Sequence, residues 1–474
     1  MKKKEDNLFF EFLQIAIGNR ESLSAAIDDG DWLRLFEYCK KQALLGVGFT
    51  AVEKLHSLGV VCPANLRMKW MALVFQIEKR NALLIEQCKK LTEQFVHDGF
   101  STCILKGQGN CLNYPEELRL RRMPGDIDVW CIPPKEGLDI AVATGNKDVE
   151  YVNYKGVNAV IEYARMQFRL KGIDANPKAC YHHIEAPAMD GTEVEVHYRP
   201  AFLRSPLRNW RMQRWFENHT DECMKNKTHL GFSMMTSSVN VVYQMCHLYT
   251  HFFEGGIGLR QLMDYYFALR VWHNDVMECK DLQTQGMWSE GLGTPVMSAT
   301  EIMAVLRSFG MGKFAGAVMY VLQEVFGGVN ENDNENENCP RMNTDGHGCP
   351  QADGGGEQQL FTHCQYKEEF IKLKQVSASG QQLKEIGPQA DYAPWMICEP
   401  NEKEGRRLLA EIMQGGNFGQ YDTRDAALKR GGMMKHGVWK LKRVMRLVRS
   451  YPEEALWEPV FRVYHLGWRG INGG

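Results

Sequence analysis

Asp126 and Asp128 stand one residue apart in the run Gly125-Asp126-Ile127-Asp128-Val129 of a 474-residue chain, and Glu195 lies further on in Glu193-Val194-Glu195-Val196-His197. On a strand, residues two apart point to one face, so the two aspartates project together. Two like charges that close call for a cation. Magnesium takes oxygen ligands and is commonly held by one or two carboxylates plus substrate phosphates, so the pair suits a metal and triphosphate site. Ile127, Val129 and Cys131 make the opposite face apolar, which fits a strand buried on one side with its acids turned to a cleft. As a bare motif, Asp-x-Asp also occurs on solvated turns and edges.

Such acids need a sheet to hold them. Residues 103–105 are a short apolar run ended by Lys106-Gly107, as expected of a buried strand entering a turn. A second strand is expected over 126–132, stopped by Pro133-Pro134, and a third over 193–198 after the Asp190-Gly191 turn. The spacing predicts a helix over 157–170 between them. Helical periodicity fills 9–17, 32–45 and 68–95 before the sheet, and 239–253 and 259–272 after it, with a break at Glu254-Gly255-Gly256. It returns at 402–415 and 434–468. The stretch 327–359 is rich in Asn, Glu, Asp and Gly and has little to bury, so it is expected to lack stable structure. The fold class is therefore α+β, a small mixed sheet embedded between helical regions. The divisions are a helical N-terminal region 1–100, an α/β domain 101–204, a helical domain 205–326, a low-complexity linker 327–360 and a helical C-terminal region 361–474.

The series Leu105-Lys106-Gly107, Tyr114-Pro115, Arg122, Gly125-Asp126-Ile127-Asp128-Val129 and Glu195-Val196-His197-Tyr198-Arg199 resembles the uncharacterised bacterial nucleotidyltransferase family, related to the polymerase-beta-like superfamily. His247-Leu248, His251, Leu262 and Asp264 match its later helical segment, and the likeness spans roughly residues 30 to 275. This resemblance implies that 101–204 is a nucleotidyltransferase-like domain in which Asp126, Asp128 and Glu195 bind two divalent ions, Mg2+ or Mn2+, and a nucleoside triphosphate. The implied reaction transfers a nucleoside monophosphate to an acceptor of unknown identity, the ions activating the attacking hydroxyl and stabilising the leaving pyrophosphate. Two departures stand out. A glutamate occupies the third acid position, where aspartate is commoner, and Lys106-Gly107-Gln108-Gly109 replaces the usual Gly-Ser or Gly-Gly turn. Lys106 and Gly107 remain candidates for contact with a phosphate. The altered turn also motivates a second reading, an inactive nucleotide-binding or regulatory module of the same fold.

Other residues leave alternatives open. Glu193 shares a face with Glu195 and could substitute for it. Arg122 could pair with phosphate or with Asp126, or belong to a solvated cluster with Arg119 and Arg121. His197 is expected on the opposite face from Glu195, as a packed or structural histidine, with a catalytic or cleft role as the other choice. His247 and His251, at i and i+4, read as helix-packing residues, with a cleft role or zinc as the other choices. Arg260 and Asp264 read as a salt bridge or cleft pair. Cys339, His347, Cys349, His363 and Cys364 have no compact zinc spacing. The turn Gly415-Gly416-Asn417-Phe418-Gly419 ends a helix or covers a cleft. A net charge of -2 argues against nucleic acid as the partner, and the basic run 435–449 reads as a solvated helix face. The 14 cysteines are scattered, several in apolar segments, which reads as reduced thiols in the cytoplasm. No signal peptide and no run of membrane-spanning length is apparent, so no membrane partner is expected.

Overall fold

The computed structural model describes residues 2–143, 149–284, 296–327 and 393–472. All but the first residue of the expected linker, and the five Cys and His residues near it, lie outside the described residues. Four helices open the chain: α1 (Lys2–Ile17), α2 (Asp29–Lys41), α3 (Leu45–Ser57) and the long α4 (Ala64–His97). Asp28 and Asp31 cap α2 reciprocally, each carboxylate accepting from the other residue's backbone N–H.

The acids belong to a four-stranded mixed sheet of order β1-β2-β6-β5, with β1 Ser101–Ile104, β2 Ile127–Ile132, β5 His183–Met189 and β6 Thr192–His197. β2 and β6 run parallel, and the other two pairings are antiparallel. Strands β3 (Leu138–Ala143) and β4 (Val149–Tyr154) form a separate antiparallel pair. β3, β4 and β5 are additions to the sequence-based expectation. Short helices α5 (Gln108–Cys111) and α6 (Glu116–Arg119) follow β1, and α7 (Gly156–Leu170) follows β4.

One face of the sheet is sealed. Ile127, Val129, Cys131, Val194 and Val196 are buried with Leu84, Cys88, Leu91 and Phe95 of α4 and Val160, Ile161 and Ala164 of α7. Alternation along β2 then sends Asp128 and Trp130 the other way. Trp130 joins a larger core that unites α1 to α4 with the later helices. These are α8 (Pro206–Asn218), α9 (Thr220–Lys225), α10 (Ser237–Glu254), α11 (Leu259–Thr284), α12 (Ala299–Ser308), α13 (Gly312–Phe326), α14 (Glu402–Gly415), α16 (Met433–Leu447) and α17 (Pro452–Asn472), while the short α15 (Ala426–Lys429) between α14 and α16 buries no residue. That core runs from Phe9 to Ala455, so helices from both ends of the sequence enclose the polar half of the sheet. The stretch expected to be helical over 434–468 is two helices, broken by a turn before Pro452. Among the described residues no helix is long and apolar enough to cross a membrane.

Candidate functional site

Asp128 lies directly opposite Glu195 in the β2 and β6 register, so neighbouring parallel strands present one carboxylate each at the same level. Asp126 precedes β2 and lines the same cleft as Glu195. Gly107 turns the chain beside them with φ of 63°, a left-handed conformation that favours glycine, and a Cβ there would come 3.4 Å from the Asp126 carbonyl oxygen. This turn aims Lys106 at the acids. Its Nζ stands 3.0 Å from Asp128 Oδ1 and 3.9 Å from Asp126 Oδ2.

His197 does not take the opposite face from Glu195. Residues 195 and 197 are two apart on β6, so period two places them together. His197 Nε2 reaches Asp128 Oδ1 at 3.0 Å and Glu195 Oε2 at 3.3 Å. Asp128, Glu195 and His197 form a compact group whose ligand atoms all fall within 4.8 Å of one another. Asp126 borders that group, with its side chain 36% exposed, whereas Asp128 is fully buried beneath the cleft floor. Glu193 is exposed and does not line the cleft.

Charge is distributed unevenly here. Burial would discharge Lys106, yet Asp128, Asp126 and Glu195 outweigh it and raise its pKa. Burial likewise opposes charge on His197, and its hydrogen bonds to Asp128 and Glu195 prevail, raising it to about 9. Burial pushes Glu195 up, but His197, His183 and Lys106 together hold it down at about 2. Burial is also the leading reason that His183 falls to about 4 and His251 to about 3.

The cleft holds about 760 Å³, inside the roughly 300–1,000 Å³ range of small-molecule sites. Arg122 reaches its wall but is engaged elsewhere. Its guanidinium grips Asp264 with Nε to Oδ1 at 2.7 Å and Nη2 to Oδ2 at 2.8 Å, and Tyr114 donates its hydroxyl to the same carboxylate at 2.7 Å. Arg122 therefore does not pair with Asp126, and Asp264, the expected partner of Arg260, serves Arg122 instead. Arg260 has no ion pair among the described residues; Nη1 donates to the Met123 carbonyl at 3.4 Å and Nε has no partner. His247 and His251 also line the cleft, rings 4.3 Å apart, and neither joins a three-ligand cluster among the described residues.

The 416–420 turn closes one side. A Cβ on Gly419 would overlap the Gly255 carbonyl oxygen, so glycine permits this docking, and Phe418 is set against His251 at 4.9 Å and under the Arg260 guanidinium at 5.3 Å. Lys440 of α16 and Phe461, Arg462, His465 and Arg469 of α17 complete the lining. Sequence reasoning missed these, since nothing local ties them to acids 245 or more positions earlier. It also missed His182 and His183, whose relation to His197 exists only through the pairing of β5 with β6. The basic run in α16 is largely consumed internally, with Arg443 on Glu411 at 2.7 Å and Lys442 and Arg446 on Asp425 at 3.1 and 3.5 Å.

A family model described as an uncharacterised nucleotidyltransferase matches residues 28–285, a span that includes all three acids, Lys106 and Arg260. No curated protein and no solved structure gives a significant match.

Proposed function

Because the chain belongs to the uncharacterised nucleotidyltransferase family, we propose that it transfers a nucleoside monophosphate from a nucleoside triphosphate to an acceptor hydroxyl, with Asp126, Asp128 and Glu195 holding divalent ions, Mg2+ or Mn2+. The observation that carries the reading is the grouping of these acids at one cleft, Asp126 and Glu195 in its lining and Asp128 buried beside Glu195, in register with it on parallel strands. The donor set fits such ions. It is rich in carboxylate oxygen, and Asp128 Oδ2 is buried without a hydrogen-bond partner, a costly state that a cation would relieve. Bound ions supply Lewis-acid activation and neutralise charge developing on the triphosphate.

The chain's own groups divide the remaining work. His197 orients Asp128 and Glu195 through one nitrogen. Lys106 keeps its ammonium at the mouth of the acids, placed to meet a phosphate oxygen as a point charge. Arg260, a cation lacking an ion pair among the described residues, offers its guanidinium to the phosphate chain, while Arg122 is held to a supporting role by Asp264. Phe418 presents a ring on which a base can stack.

The test is incubation with labelled nucleoside triphosphates, magnesium or manganese and cell extract. Label should move to an acceptor, and Asp126→Asn should cut the rate at least about a hundredfold, the kinetic equivalent of about 2.7 kcal/mol. A second reading, a nucleotide-binding module without turnover, is favoured by one observation: Lys106 already occupies the position between the two aspartates that an ion would take. Nucleotide binding without transfer of label from any triphosphate would select it.

A further inference from the structure

Adjacent residues of a strand point to opposite faces, yet His182 and His183 both reach His197, with ring centroids 5.4 and 5.2 Å away. The exception has a local cause. His183 is the first residue of β5 and faces His197 across the β5 and β6 register, whereas His182 lies in the bend before the strand. That bend is fastened to the end of β6, the His182 carbonyl accepting from the Tyr198 and Arg199 amides at 3.1 and 3.2 Å. His182 Nε2 and His183 Nδ1 come within 3.0 Å, and one nitrogen from each of the three rings falls within 4.8 Å of the others.

Two of these imidazoles keep a buried nitrogen without any partner, Nδ1 of His182 and Nδ1 of His197. A buried nitrogen left unbonded is costly, and three grouped imidazoles, two of them beside Glu195, are a ligand set. Glu195 Oε2 lies 3.7 Å from His183 Nδ1 and 3.3 Å from His197 Nε2, near enough to add an oxygen. Nitrogens about 2.05 Å from a tetrahedral zinc are about 3.3 Å apart, so the rings need to close by at most about 1.5 Å, within the reach of side-chain rotation. Imidazole donors favour zinc-class ions over magnesium, which prefers an all-oxygen shell.

We propose that His182, His183 and His197, with Glu195, form a zinc-class metal site at the β5 and β6 end of the cleft, distinct in ligand chemistry from the aspartate site. It stands whether or not the chain turns over nucleotide. His182 separates the two sites, because it belongs to the histidine group and contacts neither aspartate.

Metal-stripped full chain is titrated with Zn2+ by calorimetry and with Co2+ by visible absorption. The expected result is one tight zinc per chain, d–d bands of a nitrogen-ligated cobalt, zinc binding weakened by about tenfold or more in His182→Asn and His183→Asn, and unchanged zinc binding in Asp126→Asn. Wild-type affinity in both histidine variants, or an equal loss in Asp126→Asn, overturns the proposal. Should the variants fail to fold, the wild type carries the test: zinc must shield His182 and His183 from diethylpyrocarbonate, read by peptide mass spectrometry, and undiminished modification overturns the site. Nucleotide binding in magnesium, measured in parallel, reports on the transferase reading alone.

Discussion

Replacing Asp128 by Asn in metal-free protein separates two pictures of the acidic pair. If the aspartates simply repel each other, removing one charge stabilises the fold. The structure predicts the reverse. Asp128 is fully buried and lies 3.0 Å from both the Lys106 ammonium and His197 Nε2, so the chain supplies its own cations. Removing one member of a buried ion pair costs about 3–5 kcal/mol, because the partner stays buried and uncompensated. Asp126 at 3.9 Å from Lys106 and Glu195 at 3.3 Å from His197 offset part of this, which places the expected loss near the lower end, about 3 kcal/mol. Unfolding entropy of about 2.1 cal/mol/K per residue over the roughly 390 described residues gives about 0.8 kcal/mol/K, so the melting temperature should fall by about 4 °C. The assay is thermal and urea denaturation in chelator, with Asp126→Asn as the half-exposed control expected to change little. Lys106→Met should also destabilise, and the double variant should lose less than the sum of the singles, by about 0.5–3 kcal/mol of coupling. An Asp128→Asn protein as stable as wild type, or more so, would refute the self-compensated site.

Glu222 is raised to about 7 by burial, against 4.5 when unfolded, so the fold favours its protonated form; that stability is fully present below pH 4.5 and is lost as pH rises through 7. Glu222→Gln should therefore flatten the stability profile between those values and gain up to about 3 kcal/mol over wild type at pH 8, and parallel profiles would contradict the assignment. Asp264→Asn breaks the grip on Arg122 and should cost about 3–5 kcal/mol in urea unfolding, with Arg122→Lys failing to preserve stability because a single ammonium cannot make both bonds. Phe418→Ala should raise the Kd for nucleoside triphosphate about tenfold, or 1.4 kcal/mol, in equilibrium titration; an unchanged Kd would remove the ring from the binding surface.

The acids were legible because period two and an apolar opposite face are local properties, and β2 keeps both. The same rule, applied to 195 and 197, would have placed His197 beside Glu195 rather than behind it. Strand β5 was hidden for a physical reason: Pro187 and the irregular pairing between Ala186 and Met189 spoil its pattern, and both are tolerated because β5 lies at the sheet edge. In β3 the alternation of Leu138, Ile140 and Val142 carried a signal that could have found it. The partner of Arg122 was beyond local reach, since Asp264 is 142 positions away and Tyr114 completes the contact only in three dimensions. The α17 wall is further still, and no periodicity in 452–472 indicates which cleft that helix covers.

The distance along the chain between the acids and that wall has a consequence measured in seconds. Synthesis proceeds at about 5–20 residues per second, so the roughly 170 residues between the end of the matched segment and the start of α17 take on the order of 10–30 s to emerge. During that interval the sheet, α4 and α7 are available to fold while Phe461, Arg462, His465 and Arg469 have yet to be made. A nascent chain thus carries its carboxylates in an open trough, and the trough acquires its far bank only when the later helices arrive.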